Sequence, residues 1–200
     1  ELESVDPIDK NAVCEAISHG SLMGARGNSG VILSQILRGL AKSFEKAEII
    51  DGSSVATALK VASEAADSAV MKPVEGTILT VVREAASGAA SSSGELVNVL
   101  EAALSAAEIA LSKTPEQLEI LATAGVVDAG GAGFMHLLHG MLQVADGRDL
   151  PEAVSQPEIP NVFKPVSGAD LAGELRYEVM YLLDAPDSAI NEFKDVWAGL

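Results

Sequence analysis

The chain has 200 residues, of which 48% are hydrophobic and 21% are charged, so it can form a core and is not a disordered chain. Its net charge of −16 repels phosphate backbones, which excludes nucleic acid as a partner, and otherwise favours solubility. Its single cysteine, Cys14, cannot form an internal disulfide, and we expect a buried structural thiol in a cytoplasmic protein. Because no apolar run reaches the roughly 18–20 residues of a membrane span, membrane insertion is not expected.

Helical periodicity continues almost without interruption up to residue 146. A first helix is predicted over residues 11–23, and five later stretches repeat apolar residues at the three- and four-residue spacing of one helix face. These five stripes are Leu33, Ile36, Leu37, Leu40 and Phe44; Val55, Leu59, Ala62, Ala66 and Val70; Ile78, Val81, Val82, Ala85 and Ala89; Leu96, Val99, Leu100, Ala103, Ala107 and Ala110; and Phe134, Leu137, Leu138, Met141 and Leu142. Short connections favour antiparallel neighbours, so the predicted fold is an all-α, antiparallel helical bundle or barrel.

Turn and cap residues predict where several of these helices begin. Ser53 or Ser54 is predicted to cap the helix that carries the second stripe. Residues 88–94 are rich in Gly, Ser and Ala, which predicts a loose connection. Thr114 as a cap, with Pro115 in the first helical position, predicts the start of a new helix.

The character of the chain changes after residue 146. Four prolines follow before residue 176 and predict an extended linker. Residues 176–184 then alternate apolar and polar side chains, which predicts a β-strand, and a capped helix follows. A strand and a helix cannot bury a core alone, so we expect them to begin a second domain. The predicted organisation is a helical domain over residues 1–146, a linker over residues 147–175 and the start of an α/β domain over residues 176–200.

The first of three glycine-rich segments that lead into helices is Gly-Ala-Arg-Gly-Asn-Ser-Gly, residues 24–30. Its glycines let the backbone approach a ligand, and the free N–H groups of the following helix attract anions. The alternative is an ordinary turn with Ser29 as the N-cap. It is not a Walker A loop, because no Gly-Lys-Ser/Thr follows. The candidate binding residues are Gly24, Arg26, Gly27, Asn28, Ser29 and Gly30.

The second segment, residues 71–77, also leads into a helix. Thr77 is a natural N-cap, and Glu75 would lie close to a ligand at the helix start. The alternative is a helix stopped by Pro73, followed by a capped restart. The candidate binding residues here are Glu75, Gly76 and Thr77.

The third segment, residues 124–133, has four glycines before another helix. Asp128 can cap that helix or contact a ligand, and alone the segment is more typical of a loop than of a site. Its candidate binding residues are Asp128, Gly130 and Gly131. Alternate loops of an antiparallel bundle lie at the same end, so the three segments together predict one pocket.

His136 and His139 are three residues apart on one predicted helix, within reach of a shared metal ion. No third ligand is near them in the sequence. A surface or partly buried pair is therefore favoured over a metal site, and no metal ligand is assigned in this chain.

Taken in order, residues 24–35, 72–81 and 127–133 resemble the L-type nucleotide-binding domain of dihydroxyacetone kinases. The resemblance covers about residues 5–146; the first two segments are specific and the third is weaker. Within that family, the segments are most similar to the catalytic A subunits of bacterial fatty acid kinases, and the chain from residue 176 resembles the beginning of their middle domain.

The resemblance implies an antiparallel barrel, of eight helices when complete, with Mg·ATP at one end. Residues 27–30 would hold phosphates, Gly76 and Thr77 would lie near the nucleotide, and residues 128–131 would lie by the ribose or adenine. The γ-phosphoryl group of ATP would pass to a fatty acid carboxylate presented by a separate fatty-acid-binding, DegV-like subunit. Such chemistry depends on positioning and charge neutralisation.

The family's Mg²⁺ ligands lie in an Asp-rich Gly-Asp-Gly-Asp-Thr-Gly-like segment that this sequence lacks. We expect that segment upstream of Glu1 in a longer protein, so the 200 residues alone should be inactive and their open apolar face should allow a homodimer. Two alternatives stay open. The acceptor can be dihydroxyacetone, or the domain can be a non-catalytic, degenerate kinase that serves as a scaffold.

Overall fold

The computed structural model describes residues 1–147 and four later helical positions, Ala189, Phe193, Asp195 and Val196. The chain divides into two units, Glu1–Leu150 and Pro151–Leu200. Most of the predicted linker and the whole predicted strand at residues 176–184 lie outside the described residues, so this part of the domain organisation stays a prediction.

Residues 1–147 form a short 3₁₀ helix, Leu2–Ser4, and seven α-helices, with no strand among them. The prediction of an all-α helical bundle is confirmed for this part of the chain. The α-helices are α1 (Lys10–Gly24), α2 (Gly27–Lys46), α3 (Gly52–Ser68), α4 (Ile78–Ser91), α5 (Leu96–Gln117), α6 (Glu119–Ala124) and α7 (Ala129–Ala145).

The five predicted stripes supply the core. One large residue from each is almost fully buried: Ile36 of α2, Leu59 of α3, Val81 of α4, Leu100 of α5 and Phe134 of α7. Each such side chain contributes about 1.5–3 kcal/mol through its burial. Two predicted members differ, because Leu33 remains exposed and Val70 lies beyond the end of α3 while still packing on the core.

Consecutive helices from α1 to α5 pack against one another, and α7 packs against α5, α4 and α2. The connections are short, at residues 25–26, 47–51, 69–77 and 92–95. Short connections between packed neighbours make each consecutive pair antiparallel, so α2 and α4 begin at the same end of the bundle. The start of α7 meets the start of α4, since a Cβ on Gly131 would lie only 2.7 Å from Cγ2 of Val81.

Several helix pairs approach so closely that only glycine fits between them. A Cβ on Gly39 of α2 would lie 2.6 Å from the Cα atom of Ala62 in α3. A Cβ on Gly88 of α4 would lie 2.6 Å from the carbonyl oxygen of Ala102 in α5. The prediction of a loose connection over residues 88–94 is therefore wrong in its first half, because α4 continues to Ser91 and packs there against α5.

The predicted cap of α3, Ser53 or Ser54, lies two or three residues after the observed one. Asp51 is the N-cap, and its carboxylate accepts a hydrogen bond from the backbone N–H of Ser54 at 2.8 Å. The Ser54 hydroxyl accepts in return from the backbone N–H of Asp51 at 2.8 Å. This reciprocal capping box satisfies two backbone donors, whereas either serine alone as the cap would satisfy one.

The predicted helix start at Thr114 is wrong, because α5 continues through Pro115 to Gln117. Proline has no N–H to donate to the carbonyl of Leu111, four residues earlier. The Thr114 hydroxyl donates to that Leu111 carbonyl instead, at 2.8 Å. The helix therefore tolerates the proline in its last turn, and Thr114 is buried within it.

The Gly39→Ala substitution is expected to lower the free energy of unfolding by about 1–3 kcal/mol, because the new Cβ meets the backbone of α3. The matched control is Gly140→Ala in α7, where nothing lies within 4 Å of the Cβ position. That control should be neutral or should stabilise by up to about 1 kcal/mol through helix propensity. Chemical denaturation followed by circular dichroism measures both, and equal effects would contradict the close approach of α2 and α3.

Candidate functional site

The first glycine-rich segment is a junction of two helices rather than a loop. α1 ends at Gly24 and α2 begins at Gly27, so Asn28 and Ser29 lie in the first turn of α2. Gly27 has φ +65°, a left-handed conformation that glycine adopts without strain. Ser29 is not the N-cap, because Arg26 occupies that position and makes no side-chain cap hydrogen bond.

The start of α2 can receive an anion through its backbone. The residues from Arg26 to Ser29 are exposed, and the first N–H groups of a helix carry a partial positive charge. The Arg26 guanidinium itself donates to the carbonyls of Met23 and Ala25, at 3.2 and 2.7 Å. Arg26 is thus directed towards the end of α1, and the donors that remain free for a ligand are those of the backbone and of the short side chains.

The second segment closes a turn in front of α4. Thr77 is the N-cap of α4, as predicted, but its hydroxyl donates to the carbonyl of Val74 at 2.8 Å instead of capping the helix. Gly76 is buried with φ +79°. A Cβ at Gly76 would lie 3.0 Å from the carbonyl oxygen of Thr114, so the turn fits closely against the end of α5.

The Glu75 side chain fixes this turn. Its Oε2 atom accepts hydrogen bonds from Nη2 of Arg83 at 2.6 Å and from the Thr80 hydroxyl at 2.8 Å. The Thr80 hydroxyl in turn accepts from the backbone N–H of Gly76 at 3.0 Å. The Arg83 and Thr80 donors lower the pKa of Glu75, and the Glu75 carboxylate raises the pKa of Arg83. Glu75 is therefore ionised at neutral pH, with Oε2 already engaged.

The third segment begins α7. Asp128 is its N-cap, and its Oδ2 atom accepts from the backbone N–H of Gly131 at 2.7 Å. The backbone N–H of Asp128 donates to the Thr114 hydroxyl at 3.1 Å. A Cβ on Gly130 would lie 3.2 Å from Cβ of Ile78, so this glycine lets the starts of α7 and α4 meet.

The second and third segments both contact Thr114 in the last turn of α5. The first segment lies at the same end of the bundle, because α2 and α4 begin there, but its own close packing is within the α1–α2 junction. A Cβ on Gly30 would lie 3.3 Å from the backbone of Ala25. The three segments therefore share one end of the bundle, and two of them form a single packed unit.

Sequence reasoning missed the side chains that hold this unit together. Thr80 and Thr114 are buried threonines whose hydroxyl groups bond to backbone atoms of the two turns, and Arg83 holds Glu75. The available signal was a threonine directly before a proline inside a helical pattern. That signal has two interpretations, a helix start or a hydroxyl that replaces the missing N–H, and only packing distinguishes them.

An apolar cavity of about 550 Å³ lies at the opposite end of the bundle. It is bordered by Phe44 near the end of α2, Val55 near the start of α3 and Met141 near the end of α7. His136 also borders it, and among the described residues no group of three or more His, Cys, Asp or Glu side chains can hold a metal ion. Within the same residues, none of the helices has the length and hydropathy needed to cross a membrane.

Comparison with known proteins assigns a family. Residues 1–143 match the family model described as the DAK2 domain. Protein YloV of Bacillus subtilis (strain 168) is 42% identical over 165 residues, which cover 81% of this chain and 30% of that protein. Uncharacterized protein SSP1546 of Staphylococcus saprophyticus is 44% identical over 139 residues, which cover 68% of this chain and 25% of that protein. The chain thus spans between a quarter and a third of the length of these relatives.

The Glu75 network predicts a dependence of stability on pH. Because the folded state lowers the pKa of Glu75, its contribution is present above the ordinary value of 4.5 and is lost as the pH falls below it. Since the Glu75 side chain is 58% exposed, we expect Glu75→Gln to lower the free energy of unfolding by only about 0.5–1 kcal/mol at pH 7. The difference should become smaller as the pH falls from 7 to 3.

Denaturation at both pH values checks this expectation. Glu84→Gln is the matched control, because its carboxylate lies 3.8 Å from Nε of the same Arg83 and shows a looser ion pair. The control should cost less than Glu75→Gln at pH 7. A Glu75→Gln effect that is unchanged at pH 3 would contradict the role of the ionised carboxylate.

Proposed function

Because the chain belongs to the DAK2 domain family, we propose that its helical part binds the nucleotide of an ATP-dependent phosphotransferase. The family is one of dihydroxyacetone-kinase-like phosphotransfer domains. The observation that carries the proposal is the arrangement at one end of the bundle. The starts of α2 and α4, which have no side-chain cap, lie there, and the start of α4 is packed against the start of α7.

In this proposal the backbone does most of the binding. The first-turn N–H groups of α2, with the Asn28 and Ser29 side chains, receive phosphate oxygens, since helix starts favour anions. Gly76 and Thr77 lie beside the nucleotide, and residues 128–131 face its ribose or adenine. A domain with a large negative charge needs such fixed donors, because its overall field repels ATP.

Mg²⁺, which the family implies, finds no ligand set among the described residues. One oxygen of each carboxylate in the candidate site is already engaged, because Oε2 of Glu75 accepts from Arg83 and Oδ2 of Asp128 caps α7. We expect the ligands of this metal ion outside the part of the chain that the structure describes.

We propose a fatty acid carboxylate as the acceptor, presented by a separate fatty-acid-binding, DegV-like protein. A carboxylate oxygen would form a bond to the γ-phosphorus of ATP while the bond from that phosphorus to the bridging oxygen breaks, giving an acyl phosphate and ADP. The resemblance of residues 24–35 and 72–81 to fatty acid kinases supports this acceptor. Membership of the DAK2 family is equally compatible with dihydroxyacetone as the acceptor. Its hydroxyl group would have to lose a proton in the same transfer.

Calorimetric titration with the β,γ-imido analogue of ATP, with and without Mg²⁺, tests nucleotide binding. The double variant Asn28→Ala/Ser29→Ala should weaken binding roughly ten- to a hundredfold, since two donors to a charged phosphate are lost. Ser53→Ala is the matched control, because Ser53 is an exposed serine in the first turn of α3, which begins at the opposite end.

The control should bind like the unchanged protein. Absence of saturable binding at millimolar analogue would overturn the proposal and favour a non-catalytic scaffold. If the double variant and the control bind the analogue with equal affinity, the domain binds nucleotide, but not at the start of α2.

A further inference from the structure

We propose that Thr114 is a positioning residue that couples the turn at residues 75–77 to the turn at residues 128–131. The inference rests on the proposed function of this end of the bundle, where both turns are expected to contact the nucleotide. Thr114 touches neither the solvent nor an exposed ligand surface, since its exposed fraction is 0%. Its effect on a ligand must therefore act through the two turns.

The Thr114 hydroxyl uses both its donor and its acceptor capacity. It donates to the carbonyl of Leu111 at 2.8 Å and accepts from the backbone N–H of Asp128 at 3.1 Å. The first bond is required because Pro115 has no N–H for that carbonyl. With its proton directed at Leu111, the oxygen presents its lone pairs to Asp128, so the proline also orients the hydroxyl.

The backbone of Thr114 controls the other turn. Its carbonyl oxygen accepts from the N–H of Leu118 at 3.0 Å and lies 3.0 Å from the position that a Cβ on Gly76 would occupy. Gly76 is thus held between the end of α5 and the Thr80 hydroxyl, which accepts its N–H at 3.0 Å. A shift of the last turn of α5 must move Gly76 or break that bond.

Both turns therefore depend on one residue by different means, a side-chain hydrogen bond to Asp128 and a backbone contact with Gly76. Loss of the hydroxyl would leave the Leu111 carbonyl and the Asp128 N–H without their partners inside the protein. The last turn of α5 would then loosen, and the packing of Gly76 against it would loosen as well. If the Thr114 hydroxyl served only the turn at residues 128–131, its loss would disturb Asp128 alone.

Thr114→Val removes the hydroxyl group and keeps the shape of the side chain. Thr114→Ser keeps the hydroxyl group and removes the methyl group. Ser112→Ala is the matched control, because the Ser112 hydroxyl makes the same type of bond, to the carbonyl of Ile109 at 2.8 Å, on the exposed side of α5. Amide hydrogen exchange by NMR reports on the turns without any ligand, and titration with the β,γ-imido analogue of ATP reports on binding.

In Thr114→Val we expect exchange at Asp128 and at Gly76 to accelerate about tenfold, and the affinity for the analogue to fall by a similar factor. The exchange rates and the affinity of Thr114→Ser should lie within about threefold of those of the unchanged protein. Ser112→Ala should have the same exchange rates and affinity as the unchanged protein. Faster exchange at Asp128 with unchanged exchange at Gly76 would overturn the coupling. Unchanged affinity in a protein that binds the analogue would overturn the positioning role.

The coupling can still be tested if the analogue does not bind or if Thr114→Val does not fold. If the unchanged protein does not bind the analogue, the proposed function fails, while the exchange rates still decide whether Thr114 couples the turns. If Thr114→Val does not fold, Thr80→Val takes its place, because it releases the N–H of Gly76 from the other side. Coupling then requires faster exchange at Asp128 as well, and an unchanged rate there would refute it.

Discussion

Close approach between helices is the constraint on which the rest of this structure depends. Aromatic residues make up only 4% of the chain, so large side chains cannot fill the space between well-separated helices. The core instead contains many alanines, such as Ala58, Ala62, Ala85, Ala103 and Ala107, and glycines stand where the backbones nearly touch. Dispersion contacts at native packing density then require short distances between helix axes.

The same constraint places the candidate site. Gly131 lies against Val81 and Gly130 against Ile78, so the start of α7 is drawn onto the start of α4. Gly76 lies equally close to the end of α5. Glycines that look like flexible ligand-binding loops in the sequence therefore serve packing as well. Such close packing suits a site that works by positioning, because a fixed donor loses little entropy when a ligand binds.

The sequence predicted the helices well and their ends less well, for a physical reason. An apolar stripe is a local pattern that reports directly on burial, and the residues of α4 such as Val81 and Val82 are buried as predicted. A cap or a proline has an outcome that depends on distant partners. Thr114 and Pro115 form a helix start in isolation, but the packing of Gly76 and Asp128 around them favours a continuous α5.

The same limit applies to the candidate site, where the sequence identified the segments but not the state of their polar groups. Arg26, Glu75, Thr77 and Asp128 each have a partner within the protein, so few charged side chains remain to bind a ligand. Backbone N–H groups at the starts of α2 and α4 are left as the principal donors. A site built in this way can orient phosphates but cannot neutralise the charge that develops on a transferred phosphoryl group. That task needs a cation, so within the proposed function we expect the helix starts to supply the orientation and a bound cation to supply the charge.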